Sequence, residues 1–326
     1  MPRRWYQTIE IDGVDAVFED PNRKLSKFWN EGKWNTFIEP LLPKERQSFF
    51  EIGCNAGLFL KMAADAGFKY VTGVEGNKRI FQQAEIFRNS DKNYSWNLVS
   101  QSVGVDLDLE ALPLPDVTLI SNVHYYLPVG VFSKLVDALI YRTLYCIVVS
   151  GRAHRRRGNA AHDLRHIRGY FRDWEEMGII QNISTDSDPA PREQMYSVLY
   201  KSKLVSVNVN EMVDKWLGEA QSARHSSHEF APAIMQFYTK VLSGELGEIE
   251  DSSFYQYWRK RRPKETPAWT SEFLYNKIKL AESIRDEGQK EPIYIGTNKK
   301  LLDGIHRLCI AKALKRDYII ARSFRK

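Results

Sequence analysis

The stretch FFEIGCNAGLFL, residues 49–60, decides the fold of this chain. Its first residues, Phe49 to Ile52, predict a buried strand, and the residues from Gly57 to Ala66 predict a helix. A ligand that crosses the end of a strand needs a turn with no side chain in its way, and Gly53 and Gly57 allow this close approach. Asn55, which lies between them, is one of the few other residues that tolerate left-handed backbone geometry. The stretch therefore predicts a strand, a ligand-binding turn and a helix.

An acid follows the next predicted strand, Tyr70 to Val74. Glu75 stands 18 residues beyond Gly57 and is followed by Gly76 and Asn77. A carboxylate at this strand end can accept hydrogen bonds from both ribose hydroxyls of a nucleoside cofactor. A glycine-rich turn alone is weak evidence, but strand, turn, helix and acid at this spacing together predict a nucleoside-cofactor site.

Short apolar runs and amphipathic segments alternate as far as Tyr200, which is typical of a parallel sheet with helices between its strands. The predicted helices are Arg79 to Arg88 and Val131 to Tyr141. The predicted strands are Trp96 to Val103, Val117 to Asn122, Tyr145 to Val149, Trp174 to Gln181 and Met195 to Tyr200. We therefore predict one open α/β sheet.

The first turn, together with GVEGN at residues 73–77, resembles the first two motifs of class I S-adenosylmethionine-dependent methyltransferases. The resemblance implies a Rossmann-like fold, with S-adenosylmethionine as the cofactor. It also implies that Glu51 holds the methionine amino end and that Glu75 holds the ribose. The implied cofactor-binding residues are Glu51, Gly53, Cys54, Asn55, Ala56, Gly57, Glu75, Gly76 and Asn122. A dinucleotide-binding oxidoreductase is disfavoured, because GxGxxG does not fit this turn and an acid at its start would repel a pyrophosphate.

The fourth predicted strand runs into SNVHYYLP, residues 121–128. In the methyltransferase family this edge faces the methyl group and its acceptor, so His124 and Tyr125 are candidate catalytic residues beside Asn122. A neutral hydroxyl acceptor needs a general base, and His124 is the best placed by sequence. The alternative is that these side chains only pack under the next helix. Methylation of nucleic-acid bases on nitrogen is disfavoured, because the DPPY or NPPY tetrad is missing.

The leader contains WYQTIEIDGV at residues 5–14 and GKWNTFIEPLLP at residues 32–43. It resembles the leader of methyltransferases related to the wobble-uridine carboxymethylating enzymes. This implies that Trp5, Tyr6, Lys33 and Trp34 close over the cofactor. An edge strand followed by a surface helix is the alternative.

A basic segment follows the fifth strand, where the acceptor pocket of this fold opens. Between Arg152 and Arg172 the only acid is Asp163, so much of the net charge of +6 is local. Arginine clusters suit phosphate or carboxylate groups through paired hydrogen bonds. The candidate substrate-binding residues are Arg155, Arg156, Arg157, Arg165 and Arg168. A solvated basic helix is the alternative.

The carboxy-terminal stretch EPIYIGTNKKLLDGIHRLCIAKALKRDYIIARSF, residues 291–324, resembles the ParB and sulfiredoxin superfamily, in which a DGxHR turn starts a helix. The resemblance implies an anion pocket for ATP or ADP with Mg²⁺. Its candidate residues are Asp303, Gly304, His306 and Arg307. Sulfiredoxin chemistry is disfavoured, because Ile305 stands where a cysteine is needed. A fold that has lost catalysis is the alternative.

The length of 326 residues leaves room for two domains. We predict a methyltransferase domain over residues 1–205, a helical and aromatic connector over residues 206–266, and a small α+β domain over residues 267–326. The three cysteines include no CxxC pair, so neither a zinc site nor a disulfide framework is expected. We expect a cytoplasmic protein, because we find neither a signal peptide nor an apolar run long enough to span a membrane.

Two kinds of function fit these features. The first is a bifunctional transferase of glycan or polysaccharide biosynthesis, which methylates an oxygen of an anionic acceptor and whose carboxy-terminal domain binds a nucleotide and acts as a kinase. The second is a methyltransferase that modifies RNA or DNA and whose ParB-like domain binds the nucleic acid. A methyltransferase with a non-catalytic assembly domain is a third possibility.

Overall fold

The computed structural model describes residues 31–44, 46–90, 96–150, 160–183, 194–222, 227–296 and 298–323. The expectations for Trp5, Tyr6, Arg155, Arg156 and Arg157 lie outside these residues. The chain divides into two compact units. The first contains Met1–Leu109 and Pro115–Lys203, and the second contains Glu110–Leu114 and Leu204–Lys326.

A seven-stranded mixed sheet forms the centre of the first unit. Its strands are β1 (Ser48–Ile52), β2 (Tyr70–Val74), β3 (Trp96–Val99), β4 (Val117–Ser121), β5 (Tyr145–Ser150), β6 (Glu175–Ile183) and β7 (Gln194–Lys201). They lie in the order β3-β2-β1-β4-β5-β7-β6. The first five are parallel, whereas β7 is antiparallel to both β5 and β6. The helices are α1 (Glu31–Lys33), α2 (Leu58–Asp65), α3 (Lys78–Ser90), α4 (Val129–Leu139) and α5 (Ala160–Tyr170).

This arrangement confirms the prediction of one open α/β sheet and fits a Rossmann-like fold. The strand order reverses between β1 and β4, and in such sheets the ligand crevice lies outside the carboxyl ends of the strands at this point. All five residues of β1 are buried, as expected for a central parallel strand. Strand β3 ends earlier than predicted, because Ser102 O accepts hydrogen bonds from the backbone amides of Val105 and Asp106, which turns the chain.

The segment before β1 belongs to the core of the first unit. After α1, the chain forms a π-helical turn, Trp34–Ile38, and a 3₁₀ turn, Glu39–Leu41. Trp34 is 3% exposed and its ring centroid lies 6.0 Å from those of both Phe49 and Phe59. Phe37 is fully buried as well. This part of the leader is therefore packed against the sheet rather than exposed as a surface helix.

Among its described residues, the second unit contains a four-stranded sheet, five α-helices and a 3₁₀ turn, Ile249–Asp251. The strands are β8 (Leu204–Asn208), β9 (Ile293–Ile295), β10 (Leu301–Asp303) and β11 (Tyr318–Ser323), in the order β10-β9-β11-β8. The helices are α6 (Val209–Ser222), α7 (Ser227–Ser243), α8 (Ser253–Arg261), α9 (Pro267–Asp286) and α10 (Ile305–Ala313).

The helices that we expected to form a connector share one core with the carboxy-terminal elements. Phe237 of α7 and Phe254 of α8 are buried in the same cluster as Leu274 of α9 and Ile310 of α10. Strand β8, which the sequence did not predict, pairs in antiparallel fashion with β11. The described residues of Leu204–Lys326 thus belong to one compact unit.

In the part of the chain that the structure describes, no helix has the length and apolar character needed to cross a membrane.

Candidate functional site

The turn after β1 has the left-handed backbone that the sequence predicted. The φ angles are 74° at Gly53, 52° at Asn55 and 92° at Gly57. The amides of Gly53 and Cys54 both donate to Val74 O, at 2.8 and 2.9 Å, so the turn is fixed to the end of β2. A Cβ atom added to Gly53 would lie 2.4 Å from Val123 Cγ2. Glycine is therefore required at position 53 for both its backbone angle and its size.

Glu75 holds the same turn from the neighbouring strand end. Its Oε2 accepts a hydrogen bond from the Asn55 amide at 3.0 Å, and its Oε1 accepts one from the Asn77 amide at 2.8 Å. An ionised carboxylate has about four lone-pair sites, so both oxygens can still accept a further hydrogen bond. Gly76 lies close to Ser102, whose Oγ would be 2.4 Å from an added Cβ. The position and remaining capacity of Glu75 fit a ligand with a pair of hydroxyls.

Glu51 is a buried carboxyl group beside this turn. It is 1% exposed, and its Oε2 has no hydrogen-bond partner among the described residues. Burial raises the pKa of Glu51 to about 8; the ammonium of Lys33 opposes this rise and the carboxylate of Glu75 adds to it. An unsatisfied buried carboxyl is costly in a folded protein, and such groups cluster at functional sites.

Lys33 is the cation that faces Glu51. It is 5% exposed, and its Nζ donates a hydrogen bond to Ser121 Oγ at the end of β4. Nζ also lies 5.4 Å from the ring centroid of Phe59. Burial lowers the pKa of Lys33 to about 8, and the negative charge of Glu51 acts in the opposite direction. The structure thus brings a leader residue to the edge of the sheet where the predicted cofactor site lies.

The other predicted cofactor residues line the same edge through their backbone. Cys54 is fully buried, and burial together with Glu51 and Glu75 raises the pKa of its thiol, which keeps it neutral. The Ala56 amide donates to Asn55 Oδ1 at 2.8 Å. Asn122 has a φ angle of 60°, and its amide donates to Val149 O at 2.9 Å.

A second polar cluster lies at the ends of β4 and β5, around Asp163 on α5. Asp163 Oδ2 accepts hydrogen bonds from Tyr125 at 3.0 Å, from Tyr196 at 3.2 Å and from Ser150 Oγ. His124 Nε2 lies 3.7 Å from the same oxygen. Burial favours a raised pKa for Asp163, but the neighbouring His124 imidazole and the hydroxyl groups outweigh it and lower the pKa to about 2. Asp163 is therefore ionised at neutral pH.

His124 and Tyr125, which the sequence singled out, both belong to this cluster. The side chain of His124 is 7% exposed, and its two ring nitrogens have no hydrogen-bond partner among the described residues. Its ring centroid lies 4.0 Å from that of Tyr125 and 5.8 Å from that of Phe132 on α4. His124 thus packs under α4, as the structural interpretation predicts, and also faces a carboxylate, as a catalytic base would.

The described part of the basic segment is an amphipathic helix. Leu164 and Ile167 are buried, and Asp163 lies on the same side of α5. Arg165 is exposed, and Arg168 forms two hydrogen bonds with Glu176, at 2.8 and 2.6 Å. The acid of this segment, rather than these two arginines, therefore belongs to the cluster at the sheet edge. Sequence reasoning missed Ser150, Asp163 and Tyr196; the lone acid on the apolar side of α5 was the available signal.

In the second unit, the DGIHR turn begins α10. Gly304 has a φ angle of 94°, and a Cβ atom there would lie 2.7 Å from Ile293 Cγ2. Asp303 is exposed and its Oδ1 accepts a hydrogen bond from the Gly304 amide at 2.7 Å. Arg307 Nη1 donates to Pro292 O at 3.2 Å, and its Nη2 forms an ion pair with Glu291.

His306, one of the candidate residues of the anion pocket, is half-buried. Its Nδ1 is 2.7 Å from the Tyr238 hydroxyl, and its ring packs against those of Phe254 and Phe273. Burial and the positive charges of Lys277 and Arg307 lower the pKa of His306 to about 3, although Asp303 opposes this. The imidazole is therefore neutral at pH 7 and supplies no charge for binding an anion.

No family model matches the chain, and no curated protein matches it either. Solved structures similar to it include the N-methyltransferase NodS from Bradyrhizobium japonicum (TM-score 0.36, 15% identity, 48% of this chain and 85% of that one). Another is a SAM-dependent methyltransferase from Aquifex aeolicus (TM-score 0.39, 12% identity, 52% of this chain and 92% of that one). A third is a TehB-like SAM-dependent methyltransferase from Corynebacterium glutamicum (TM-score 0.37, 16% identity, 51% of this chain and 84% of that one). The three solved structures named here are methyltransferases.

Proposed function

We propose that this protein transfers a methyl group from S-adenosylmethionine. The observation that carries the proposal is Glu51, whose buried carboxyl has an oxygen without a partner among the described residues, directly before the turn from Gly53 to Gly57. An ammonium group is the ligand that such a carboxyl would bind best. Glu75, at the next strand end, retains acceptors for the two hydroxyls of a ribose. These residues fit the two polar ends of this cofactor.

The methyl acceptor is, in our proposal, a hydroxyl oxygen. The cofactor supplies a methyl group on a sulfonium, and the transfer is an in-line displacement that depends on positioning and exclusion of water. His124 would take the proton from the hydroxyl as the oxygen–carbon bond forms. Asp163, which is ionised and lies 3.7 Å from His124 Nε2, would stabilise the resulting imidazolium. In this proposal His124 is the general base, and Asp163 is the carboxylate that stabilises its protonated form.

The rest of the acceptor is proposed to be anionic, as in a phosphorylated glycan or small molecule. The support is the charge of residues 152–172, of which the structure describes only the part from Ala160 onwards. Arg165 is exposed, whereas Arg168 is held by Glu176.

The experiment has two stages. Calorimetry with S-adenosylhomocysteine tests the cofactor site in the full-length protein, with Glu51→Gln as the variant and Glu85→Gln, on helix α3, as the control. Incubation with labelled S-adenosylmethionine over a panel of glycans, phosphorylated sugars, nucleotides and RNA then tests the acceptor. Absence of S-adenosylhomocysteine binding would refute the methyltransferase proposal. Transfer of the label to nucleic acid alone would show that the acceptor is a nucleic acid rather than a glycan or small molecule.

We propose a second activity for the second unit, binding of ATP or ADP with Mg²⁺ by a kinase that modifies the same acceptor. The observation in its favour is that two cations, Lys277 and Arg307, lie close to the start of α10, where backbone amides point outward. Burial and the charge of Arg307 lower the pKa of Lys277, whereas Asp303 raises it.

A thermal-shift assay of the full chain tests this second activity with ATP, ADP and a short duplex. Stabilisation by ATP or ADP that is lost in Lys277→Met supports the kinase, with Lys279→Met as the control on the same helix. Stabilisation by the duplex alone supports the nucleic-acid modifying enzyme. If none of the three ligands shifts the melting temperature, the result favours a non-catalytic assembly domain.

A further inference from the structure

We propose that Lys33 binds the carboxylate of the cofactor's methionine moiety, and that the ammonium of the same moiety, placed beside Glu51, makes cofactor binding expel a proton from Glu51. The inference rests on the proposed function. It assigns a ligand group to Lys33 and predicts that a proton is released when the cofactor binds.

The first support is the position of Lys33. Its Nζ bonds to Ser121 at the end of β4, and Glu51 belongs to the adjacent strand β1, where it pairs with Leu119. The two charged side chains therefore meet at the carboxyl edge of neighbouring strands, where the strand order reverses. This is the edge at which ligands bind in such sheets.

The second support is that Lys33 cannot readily leave this position. The residues that follow it, Trp34, Phe37 and Ile38, are buried in the core of the first unit. Its ammonium bonds to a neutral hydroxyl rather than directly to the carboxyl of Glu51. Among the described residues, this buried ammonium bonds to one hydroxyl, lies near one aromatic ring and faces the carboxyl of Glu51. A buried charge with so few partners is costly, and a carboxylate ligand would offset that cost.

The third support is the charge balance of the site. Among the described residues, the titratable groups that face Glu51 are Lys33, Glu75 and the neutral thiol of Cys54. Because burial raises the pKa of Glu51 to about 8, most of this carboxyl carries a proton at pH 7. Lys33, with a pKa of about 8, is mostly protonated at the same pH.

A bound amino acid end changes this balance in one direction. Its ammonium beside Glu51 favours the ionised carboxylate, so the proton on Glu51 leaves to solvent. Its carboxylate beside Lys33 favours the ammonium, which is already present, so Lys33 takes up little. The balance is the release of close to one proton for each molecule bound near pH 7.

Calorimetry of the full chain at pH 7, in two buffers with different ionisation enthalpies, tests both parts of the proposal. S-adenosylhomocysteine carries both charged groups, whereas 5′-methylthioadenosine lacks them. We expect proton release with the first ligand and none with the second. Lys33→Met should weaken the binding of S-adenosylhomocysteine about tenfold or more, as expected for a lost charge-assisted hydrogen bond. The affinity for 5′-methylthioadenosine should stay within about twofold of the wild-type value.

Two further variants keep the result interpretable. Lys134→Met removes the same charge from an exposed position on α4 and should change neither affinity. Ser121→Ala removes the hydrogen bond that positions Lys33 and should weaken S-adenosylhomocysteine selectively, even if Lys33→Met fails to fold. Equal weakening of both ligands, or of neither, would overturn the role of Lys33 while leaving the methyltransferase proposal intact. If the wild type binds neither ligand, both proposals fall.

Discussion

Asp163 Oδ2 lies 3.7 Å from His124 Nε2 and accepts three hydroxyl hydrogen bonds at the same time. This relationship fixes a negative charge at the edge of the sheet where β4 and β5 end. The donors come from three separate parts of the chain, Tyr125, Ser150 and Tyr196. The position of the carboxylate thus depends on tertiary contacts, and its contribution to stability can be measured without any ligand.

Asp163→Ala should lower the free energy of unfolding by about 1 to 3 kcal/mol, because buried hydroxyl donors lose a charged acceptor. Since the folded pKa of Asp163 is below its ordinary value of 3.8, its contribution is present above that value and disappears as the pH falls through about 2. The difference from wild type should therefore be constant from pH 5 to 8. Urea unfolding measures it, and Asp137→Ala, an exposed acid on α4, is the control. A small effect equal to that of Asp137→Ala would contradict this account.

Glu75→Ala should weaken both S-adenosylhomocysteine and 5′-methylthioadenosine, by about 1 to 3 kcal/mol, because both ligands carry the ribose. Part of the loss comes from the turn, since the amides of Asn55 and Asn77 lose their acceptor. Calorimetry of both ligands separates this variant from Lys33→Met, which should affect only the ligand with charged groups. Unchanged affinities would remove Glu75 from the site.

Gly53→Ala should destabilise the first unit by about 1 to 3 kcal/mol, because alanine disfavours a φ of 74° and its Cβ would contact Val123. Adding Val123→Ala should restore the steric part of the loss and leave the backbone part. Gly130→Ala is the matched control: Gly130 lies in α4 with nothing within 4 Å of an added Cβ. That change should stabilise the helix by about 0.5 to 1 kcal/mol. Equal effects of the two single substitutions, measured by urea unfolding, would refute the argument.

The parts of the fold that were predictable from sequence are those coded by local pattern. The turn from Gly53 to Gly57 and the acid at Glu75 have fixed spacing, so the sequence alone located them. The cluster around Asp163 was not predictable in the same way, because Ser150 and Tyr196 become neighbours only when β5 and β7 pair. The number of arginines made the basic side of α5 the candidate site in the sequence. In the structure, the burial of Leu164 and Ile167 determines which side of the helix faces inward.

The second unit shows the same limit. Strand β8 has few residues and no turn signal, and its partner β11 lies more than a hundred residues further along the chain. We expected a helical and aromatic connector over residues 206–266, yet Phe254 packs against Phe237 in the core, with ring centroids 5.2 Å apart. Aromatic side chains without clear helical spacing give no local signal of burial, and here they are buried by contacts with residues distant in sequence.

His306 makes the stability of the second unit depend on pH. Burial lowers the folded pKa to about 3, below the ordinary value of 6.5, so protonation favours the unfolded chain. The stabilising effect is therefore complete above pH 6.5 and decreases below it, by about 1.4 kcal/mol per pH unit, or about 2 kcal/mol at pH 5. His306→Gln retains a group that can accept from the Tyr238 hydroxyl but does not titrate. We expect wild type to lose stability between pH 7 and 5 in urea unfolding and the variant to lose about 2 kcal/mol less. His166→Gln, an exposed histidine on α5, should behave as wild type. An equal loss in wild type and His306→Gln would show that His306 does not stay neutral in the folded protein at pH 5.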